Sequence, residues 1–312
     1  MSAETTPEVT FRSFTPAEAS NYAQFRHDYH PALYNAVIDR HTSTGGKLDT
    51  ILDVGCGPGI AVRALAPRFQ YAFGFDPSEG MIAGAKELGG VSGSGEPIRF
   101  EVSTAEELSG IPDGSIDLIT AATAAHWFNM PAFWARAAQV LKPGGSVALW
   151  SHKGERIADS VPNAAAIQAA LESLRKEHLM KYMLPGNLLA RDLYVNLPLP
   201  WSGEHPVEDF DKDSFSRTEW GTENEGSLPS DQFLAVDERE VDLGSLEALM
   251  GTASAVKRWR EANPEKAGTE EDVTRLMRRE VERLLHEAGV EKGKEAVKRV
   301  TSGVLLVVKK KA

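Results

Sequence analysis

The sequence predicts an α/β fold: a doubly wound sheet of seven strands, mostly parallel, with the last strand antiparallel. Three observations carry that reading. Strand-like apolar runs alternate with helical patterns from Thr50 to Trp150, which is the rhythm of βαβ units around a parallel sheet. The first run ends in a glycine-rich turn, within ILDVGCGPGIAVRALA (Ile51 to Ala66), before a helical pattern begins. Long after the alternation has stopped, Val300 to Lys309 is again strongly β-like and is placed last, as an antiparallel strand.

The elements follow in order. Pro16 to His41 reads as a helical segment rich in rings and basic groups (Tyr22, Phe25, Arg26, His27, Tyr29, His30, Tyr34). Such rings either pack a helix onto a core or cover a ligand as a lid. Thr42 to Asp49 is a loop. Strand one is Ile51 to Val54, and a helix starts near Ile60. Strand two, Gln70 to Phe75, leads into Asp76 and Pro77; Ser78 is placed to cap the next helix. Gly89 to Pro97 is a loop, Ile98 to Val102 a third strand, Asp113-Gly114-Ser115 a turn, and Ile116 to Ala121 a fourth strand. Ala132 to Leu141 is helical, Lys142-Pro143-Gly144-Gly145 ends it, and Ser146 to Trp150 is strand five. The helix Asn163 to Lys181 and a proline-marked stretch to about Pro229 read as an insertion walling a pocket. Phe233 to Val241 is a candidate strand, and Leu246 to Asn263 and Glu270 to Ala288 are helical. These patterns divide the chain into a lid (1–45), a ligand-binding core (46–150), a pocket insertion (151–230) and a part that completes the sheet (231–312).

The glycine turn carries the chemistry. Its pattern is Asp53-x-Gly55-x-Gly57-x-Gly59 with Pro58 at the crest. Glycine admits positive φ and lets a ligand approach the backbone where a Cβ would collide. The spacing departs from the G-x-G-x-x-G of dinucleotide sites. An acid at the tip of the second strand, here Asp76, is placed to accept hydrogen bonds from both hydroxyls of a ribose.

Together these residues resemble class I S-adenosylmethionine-dependent methyltransferases, whose fold is Rossmann-like. The order ILDVGCGPG, GFDPSEGMI, STAEEL, AAHWF, VLKPGGSVALW is similar to the fungal trans-aconitate methyltransferase-like (methyltransferase type 11) group, and LMGTASAVKRWREANPE resembles a helix that group carries before its last strand. The resemblance implies S-adenosylmethionine as cofactor, held by Gly55, Gly57 and Asp76. It places Asp53 toward the ammonium of the methionine moiety. Phe75 or Pro77, with Met81, would border the adenine, and Thr104, the first residue of Thr104-Ala105-Glu106, stands where relatives accept from its amino group; the other reading of that segment is a helix N-terminus capped by Thr104 or Ser103. It makes the N-terminal segment a lid over the methyl acceptor, with Tyr22 and Arg26 as substrate residues. Thr123, Gly251 and Ala253 replace a glutamine, an arginine and a tryptophan of that group, so the acceptor need not be trans-aconitate.

His126 and Trp127 follow strand four, at the carboxyl edge where open α/β sheets bind ligands. Trp127 offers an aromatic face to a sulfonium or a wall to the substrate. His126 is a candidate proton acceptor for a hydroxyl substrate, or a packing histidine beneath the cofactor. A carboxylate substrate needs no base, because it is already ionised. The implied function is O-methylation of a carboxylate or hydroxyl on a small metabolite, in secondary metabolism. The alternative is a protein of this fold that binds the cofactor without transferring methyl.

Composition narrows the field. Of 312 residues, 45 are acidic and 34 basic, a formal net charge of -11, so a nucleic-acid partner is not expected. Cys56 is the single cysteine, which fits a reducing compartment. With no secretory pattern at the start and no apolar run long enough for a bilayer, the expectation is a cytoplasmic enzyme away from membranes. The eight histidines are scattered, and no metal site is expected. Whether the protein is a monomer or a homodimer is left open.

Overall fold

A computed structural model describes residues 15, 23, 28–222 and 240–312. Tyr22, Arg26 and most of the candidate strand 233–241 lie outside the described residues. The helix α1 (Pro31–Ser43) opens the main described stretch, with Pro31 in its first turn and the His30 side chain accepting from Ala32 N–H at 3.1 Å. Proline suits a first turn because the amide it lacks would have no helical partner.

The core alternates as the sequence predicts: β1 (Thr50–Val54), α2 (Ile60–Leu65), β2 (Tyr71–Asp76), α3 (Glu79–Leu88), β3 (Arg99–Val102), β4 (Ile116–Ala122), α4 (Met130–Val140) and β5 (Leu141–Ile157). Ser78 caps α3 by accepting from Met81 N–H at 3.3 Å. The helices α5 (Ala164–His178) and α6 (Pro185–Arg191) follow, then β6 (Phe210–Trp220). A short β7 (Val241–Asp242) leads to α7 (Leu243–Gly251), α8 (Ser254–Ala262), α9 (Val273–Glu287), β8 (Ala296–Val297) and β9 (Arg299–Lys310).

Among the described residues the main sheet has seven strands in the order β3-β2-β1-β4-β5-β9-β6. The first five are parallel, and β9 runs antiparallel to both β5 and β6. The expected last, antiparallel strand is therefore present. The sixth strand differs from expectation: it is Phe210–Trp220, within the stretch read as a pocket insertion. Its FDKDSFSRTEW is polar because it forms an edge and packs on one neighbour only. Val241, one of the two described residues of the candidate strand, pairs instead with Val297 in a separate two-stranded ladder. The long helix expected over 246–263 is two helices, parted at Thr252 and Ala253.

Strand β1 is buried along its whole length, as a central parallel strand covered on both faces must be. Its residues alternate between two cores: Leu52 and Val54 join Ile119, Phe133 and Leu306 on one side, while Ile51 joins Val62, Leu118 and Trp150 on the other. A third apolar cluster, including Ile167, Leu171, Trp259, Met277 and Val281, knits α5 to the C-terminal helices. No helix among the described residues is long and apolar enough to cross a membrane.

Candidate active site

Strand register brings the first acid to a polar partner. Asp53 is opposite Thr120 in the β1–β4 pairing, and Thr120 Oγ1 donates to Asp53 Oδ1 at 2.7 Å. Both side chains are fully buried. Among the described residues Asp53 Oδ2 has no hydrogen-bond partner. Burial drives the Asp53 carboxyl up to about 7, and the nearby charge of Asp76 adds to the rise against the Thr120 hydrogen bond. A buried carboxylate with an idle oxygen costs free energy unless a cation or donor meets it.

The glycine turn follows directly. Cys56 N–H donates to Phe75 carbonyl at 2.9 Å, continuing the β1–β2 contact beyond the strand. Gly55 and Gly57 have φ of 65° and 54°, left-handed backbone that side-chain-bearing residues adopt at a cost. A Cβ on Gly55 would stand 2.6 Å from Ala124 Cβ, whereas one on Gly57 would project into open space. Gly55 is thus fixed by packing and Gly57 borders a free cradle. Arg63 braces the crest from below, donating from Nη1 to Pro58 carbonyl at 2.6 Å.

Asp76 closes the cradle from β2. Its Oδ2 accepts from Gly57 N–H and its Oδ1 from Ser78 N–H, each at 2.9 Å. Met81 is buried, Pro77 half-buried. Beyond β3, Ala105 is buried and Thr104 half-buried, its carbonyl accepting from Leu108 N–H at 3.1 Å.

At the end of β4 the backbone turns at Thr123, with a φ of 53°. Thr123 Oγ1 meets Tyr29 Oη at 3.0 Å, and Tyr29 packs edge-on to Tyr34 and Trp150. The described part of the N-terminal segment is thereby tied to the carboxyl edge of the sheet. His126 and Trp127 sit in the next turn with ring centroids 4.6 Å apart. His126 Nδ1 is 2.9 Å from Tyr194 Oη. Burial, aided by the charge of His152, lowers the imidazole to about 3, so it is neutral at pH 7. The segment α6 presses on this turn: a Cβ on Gly186 would come within 2.6 Å of the His126 carbonyl and the Trp127 ring.

The structure therefore brings together Asp53, Gly55, Gly57 and Asp76 on two neighbouring strands, and His126 with Trp127 after the fourth. Sequence reasoning missed Thr120, whose signal is a polar residue inside the buried run IDLITAA. It also missed Arg63, and the specific partnerships of Tyr194 and Tyr29. Among the described residues one group has metal-ligand spacing, Glu282, His286 and Glu295. It lies far along the chain from these turns, with His286 Nε2 and Glu295 Oε1 2.6 Å apart.

Comparison with known proteins fits this geometry. Residues 52–149 match the family described as "Methyltransferase domain". A Dictyostelium discoideum protein named as a methyltransferase is 38% identical over 134 residues, 43% of this chain and 47% of that one. A Saccharomyces cerevisiae protein named as an S-adenosylmethionine-dependent methyltransferase is 31% identical over 133 residues, 43% of this chain and 45% of that one. The chain thus spans about half the length of these curated relatives. A solved structure described as a type II methyltransferase from Anaeromyxobacter dehalogenans overlays with a TM-score of 0.59 at 22% identity, covering 90% of this chain and 97% of that one. This last likeness bears on the fold alone, a Rossmann-like α/β architecture.

Proposed function

We propose that this chain, whose residues 52–149 match the methyltransferase domain family, is an enzyme that moves a methyl group from S-adenosylmethionine to an oxygen of a small-molecule acceptor, with a carboxylate as the favoured nucleophile. One observation carries the reading: a buried Asp53, whose Oδ2 has no hydrogen-bond partner among the described residues, stands in the strand that leads into an open glycine cradle, and Asp76 bonds to the Gly57 amide of that cradle. The residues fit the cofactor. Asp53 would meet its ammonium, Gly55 and Gly57 would admit its amino-acid and ribose portion, and Asp76 would hold the ribose hydroxyls. Pro77, Met81, Thr104 and Ala105 would border the adenine.

When bound, the cofactor supplies a methyl group on a positively charged sulfur. The protein's part is positioning. Trp127 offers a ring face that favours that positive charge. His126 is too weak a base to strip a hydroxyl efficiently, since useful proton acceptors titrate near the working pH. Neutral and anchored by Tyr194, it instead orients the acceptor by hydrogen bonding. A carboxylate acceptor is ionised without help, so holding it in line with the methyl, out of water, supplies the catalysis.

The test is transfer of label from S-adenosylmethionine to a panel of small carboxylic acids and phenols. Labelled ester, with S-adenosylhomocysteine released in equal amount, supports the proposal. Tight cofactor binding with no label transferred to any of them would overturn carboxylate O-methylation.

A further inference from the structure

The end of α9 gathers three side chains of metal-binding type outside the candidate active site. Glu282 and His286 are four residues apart, so they share one face of the helix. The chain then reverses tightly. Gly289, with a φ of 88°, donates to the His286 carbonyl at 2.9 Å, and Val290 N–H donates to the Leu285 carbonyl at 3.0 Å. This return brings Glu295, the residue before β8, back to the helix, with its Oε1 2.6 Å from His286 Nε2. One ligand atom from each of the three residues lies within 4.8 Å of the others.

Charge sets this group apart from its surroundings. The four arginines of α9 are engaged by other acids: Arg283 by Glu280 and Glu287, Arg275 and Arg279 by Glu270, and Arg278 by Glu247. Lys294, beside Glu295, is bonded to Glu291 at 2.5 Å. Among the described residues no hydrogen bond or ion pair engages Glu282, although it is half-buried. Two carboxylates therefore share a single imidazole, and neighbouring carboxylates disfavour each other's charge. A protonated His286 balances one of them; a divalent cation balances both. Glu295 is held ready for such an ion. Its side chain is 12% exposed, and its Oε2 accepts from Gly293 N–H at 2.9 Å, which orients the carboxylate as the outer partners of metal ligands do. His286 is exposed, so an ion can enter from solvent.

The donor set selects the ion. An imidazole nitrogen with two carboxylate oxygens suits zinc and similar first-row cations, whereas calcium and magnesium take oxygen ligands. Bonds of about 2.0–2.2 Å put the ligand atoms of a tetrahedral zinc site roughly 3.3–3.6 Å apart, so small side-chain rotations close this group around an ion. We propose that Glu282, His286 and Glu295 form a binding site for one zinc-type divalent cation, which takes the place of the proton between His286 Nε2 and Glu295 and pins the end of α9 to the start of β8. Water completes the coordination. The assignment stands apart from the methyl-transfer reading, since none of these residues belongs to the cofactor cradle or the His126 turn.

Titration calorimetry on the full chain, treated with a chelator and dialysed, tests the site with Zn²⁺ as the probe. The wild-type chain should bind one equivalent and melt at a higher temperature with the ion bound. Co²⁺ in place of Zn²⁺ should give the visible absorption of a nitrogen–oxygen site. Glu282→Gln, His286→Gln and Glu295→Gln should each weaken Zn²⁺ binding by about 100-fold, since even the outer partners of metal ligands are worth about 10- to 100-fold. Glu280→Gln, at a carboxylate held by Arg283, should leave the affinity unchanged. Glu282→Gln is the decisive variant. It keeps the His286–Glu295 contact and should leave the melting temperature of the metal-free chain unchanged, so its loss of Zn²⁺ affinity is not a folding artefact. No Zn²⁺ binding by the wild type, equal binding by Glu282→Gln, or tighter binding of Ca²⁺ than of Zn²⁺ overturns the site.

Discussion

Tyr194 Oη and His126 Nδ1 lie 2.9 Å apart although 68 residues separate them, so the segment after α6 holds the ring that follows β4. Leu193 and Tyr194 both have positive φ, 50° and 60°, a conformation that persists only where surrounding contacts enforce it. Tyr194→Phe should leave a buried imidazole nitrogen unpaired and lower stability by about 1–3 kcal/mol. The expected readout is a melting temperature lower by several degrees and a kcat reduced more than the cofactor affinity. An unchanged kcat would detach this contact from catalysis.

Asp53 gives a pH signature of unusual sign. Its folded-state carboxyl titrates near 7, against 3.8 as the ordinary value. Between those values the folded chain holds a proton that the unfolded chain has released, so the contribution of Asp53 to stability falls as pH rises from about 4 to 7 and is flat above. Asp53→Asn removes that penalty. Without cofactor, the variant should be more stable than wild type at pH 7.5, by a few kcal/mol at most, since each tenfold change in proton affinity is worth about 1.4 kcal/mol. The advantage should shrink toward pH 4.5. Its S-adenosylmethionine affinity should nevertheless drop by about 10-fold or more, as one charge-assisted contact is lost. Denaturant midpoints at the two pH values and a binding isotherm check both halves.

Gly55→Ala and Gly57→Ala separate fold from function. At Gly55 the new methyl meets Ala124 at 2.6 Å and the left-handed backbone adds about 1–2 kcal/mol, so the variant should be strongly destabilised. At Gly57 only the backbone cost applies, and the methyl enters the cradle. Gly57→Ala should fold with a loss of about 1–2 kcal/mol and fail to bind S-adenosylmethionine. Normal binding by Gly57→Ala would move the cofactor elsewhere.

Asp272 caps α9, accepting from Thr274 N–H at 3.0 Å, and takes both Nε and Nη2 of Arg260 at 2.8 and 3.1 Å. Burial works against its charge, yet Arg260 and the amides of Gly268 and Thr274 outweigh it and bring the carboxyl to about 2. This stability is present above pH 4 and disappears as pH falls through about 2, the reverse of Asp53. Asp272→Ala should cost about 1–3 kcal/mol, through the lost helix cap and the hydrogen bonds to Arg260, whose partly exposed cation water can solvate. Loss of the C-terminal helical signal before the sheet melts, followed by circular dichroism, is the expected result.

The central half of the fold was legible because its strands are buried on both faces, and such strands show as apolar runs whatever their neighbours. Gly55 and Gly57 were readable because positive φ there restricts the residue type, and Asp53 and Asp76 because an acid inside or at the end of an apolar run stands out. Phe210–Trp220 was not readable as a strand, since an edge strand with one packed neighbour has little apolar pattern. Thr120 and Tyr194 were invisible for another reason: their meaning lies in register and in a return of the chain, neither of which a linear pattern records. The break between α7 and α8 is marked by Gly251, the last residue of α7 and a helix-ending residue type, a signal that the helical pattern on either side masks.

The position of β9 between β5 and β6 has a consequence for biosynthesis. Residues 299–310 emerge from the ribosome after every other strand of the sheet, yet they occupy an interior place. Until then β5 and β6 cannot be joined, and each presents an open hydrogen-bonding edge in the nascent chain. The protein is therefore most exposed to aggregation in the interval before β9 clears the ribosome. A synonymous slowing of the codons for residues 299–310 should lengthen that interval and increase chaperone dependence, with the folded protein unchanged.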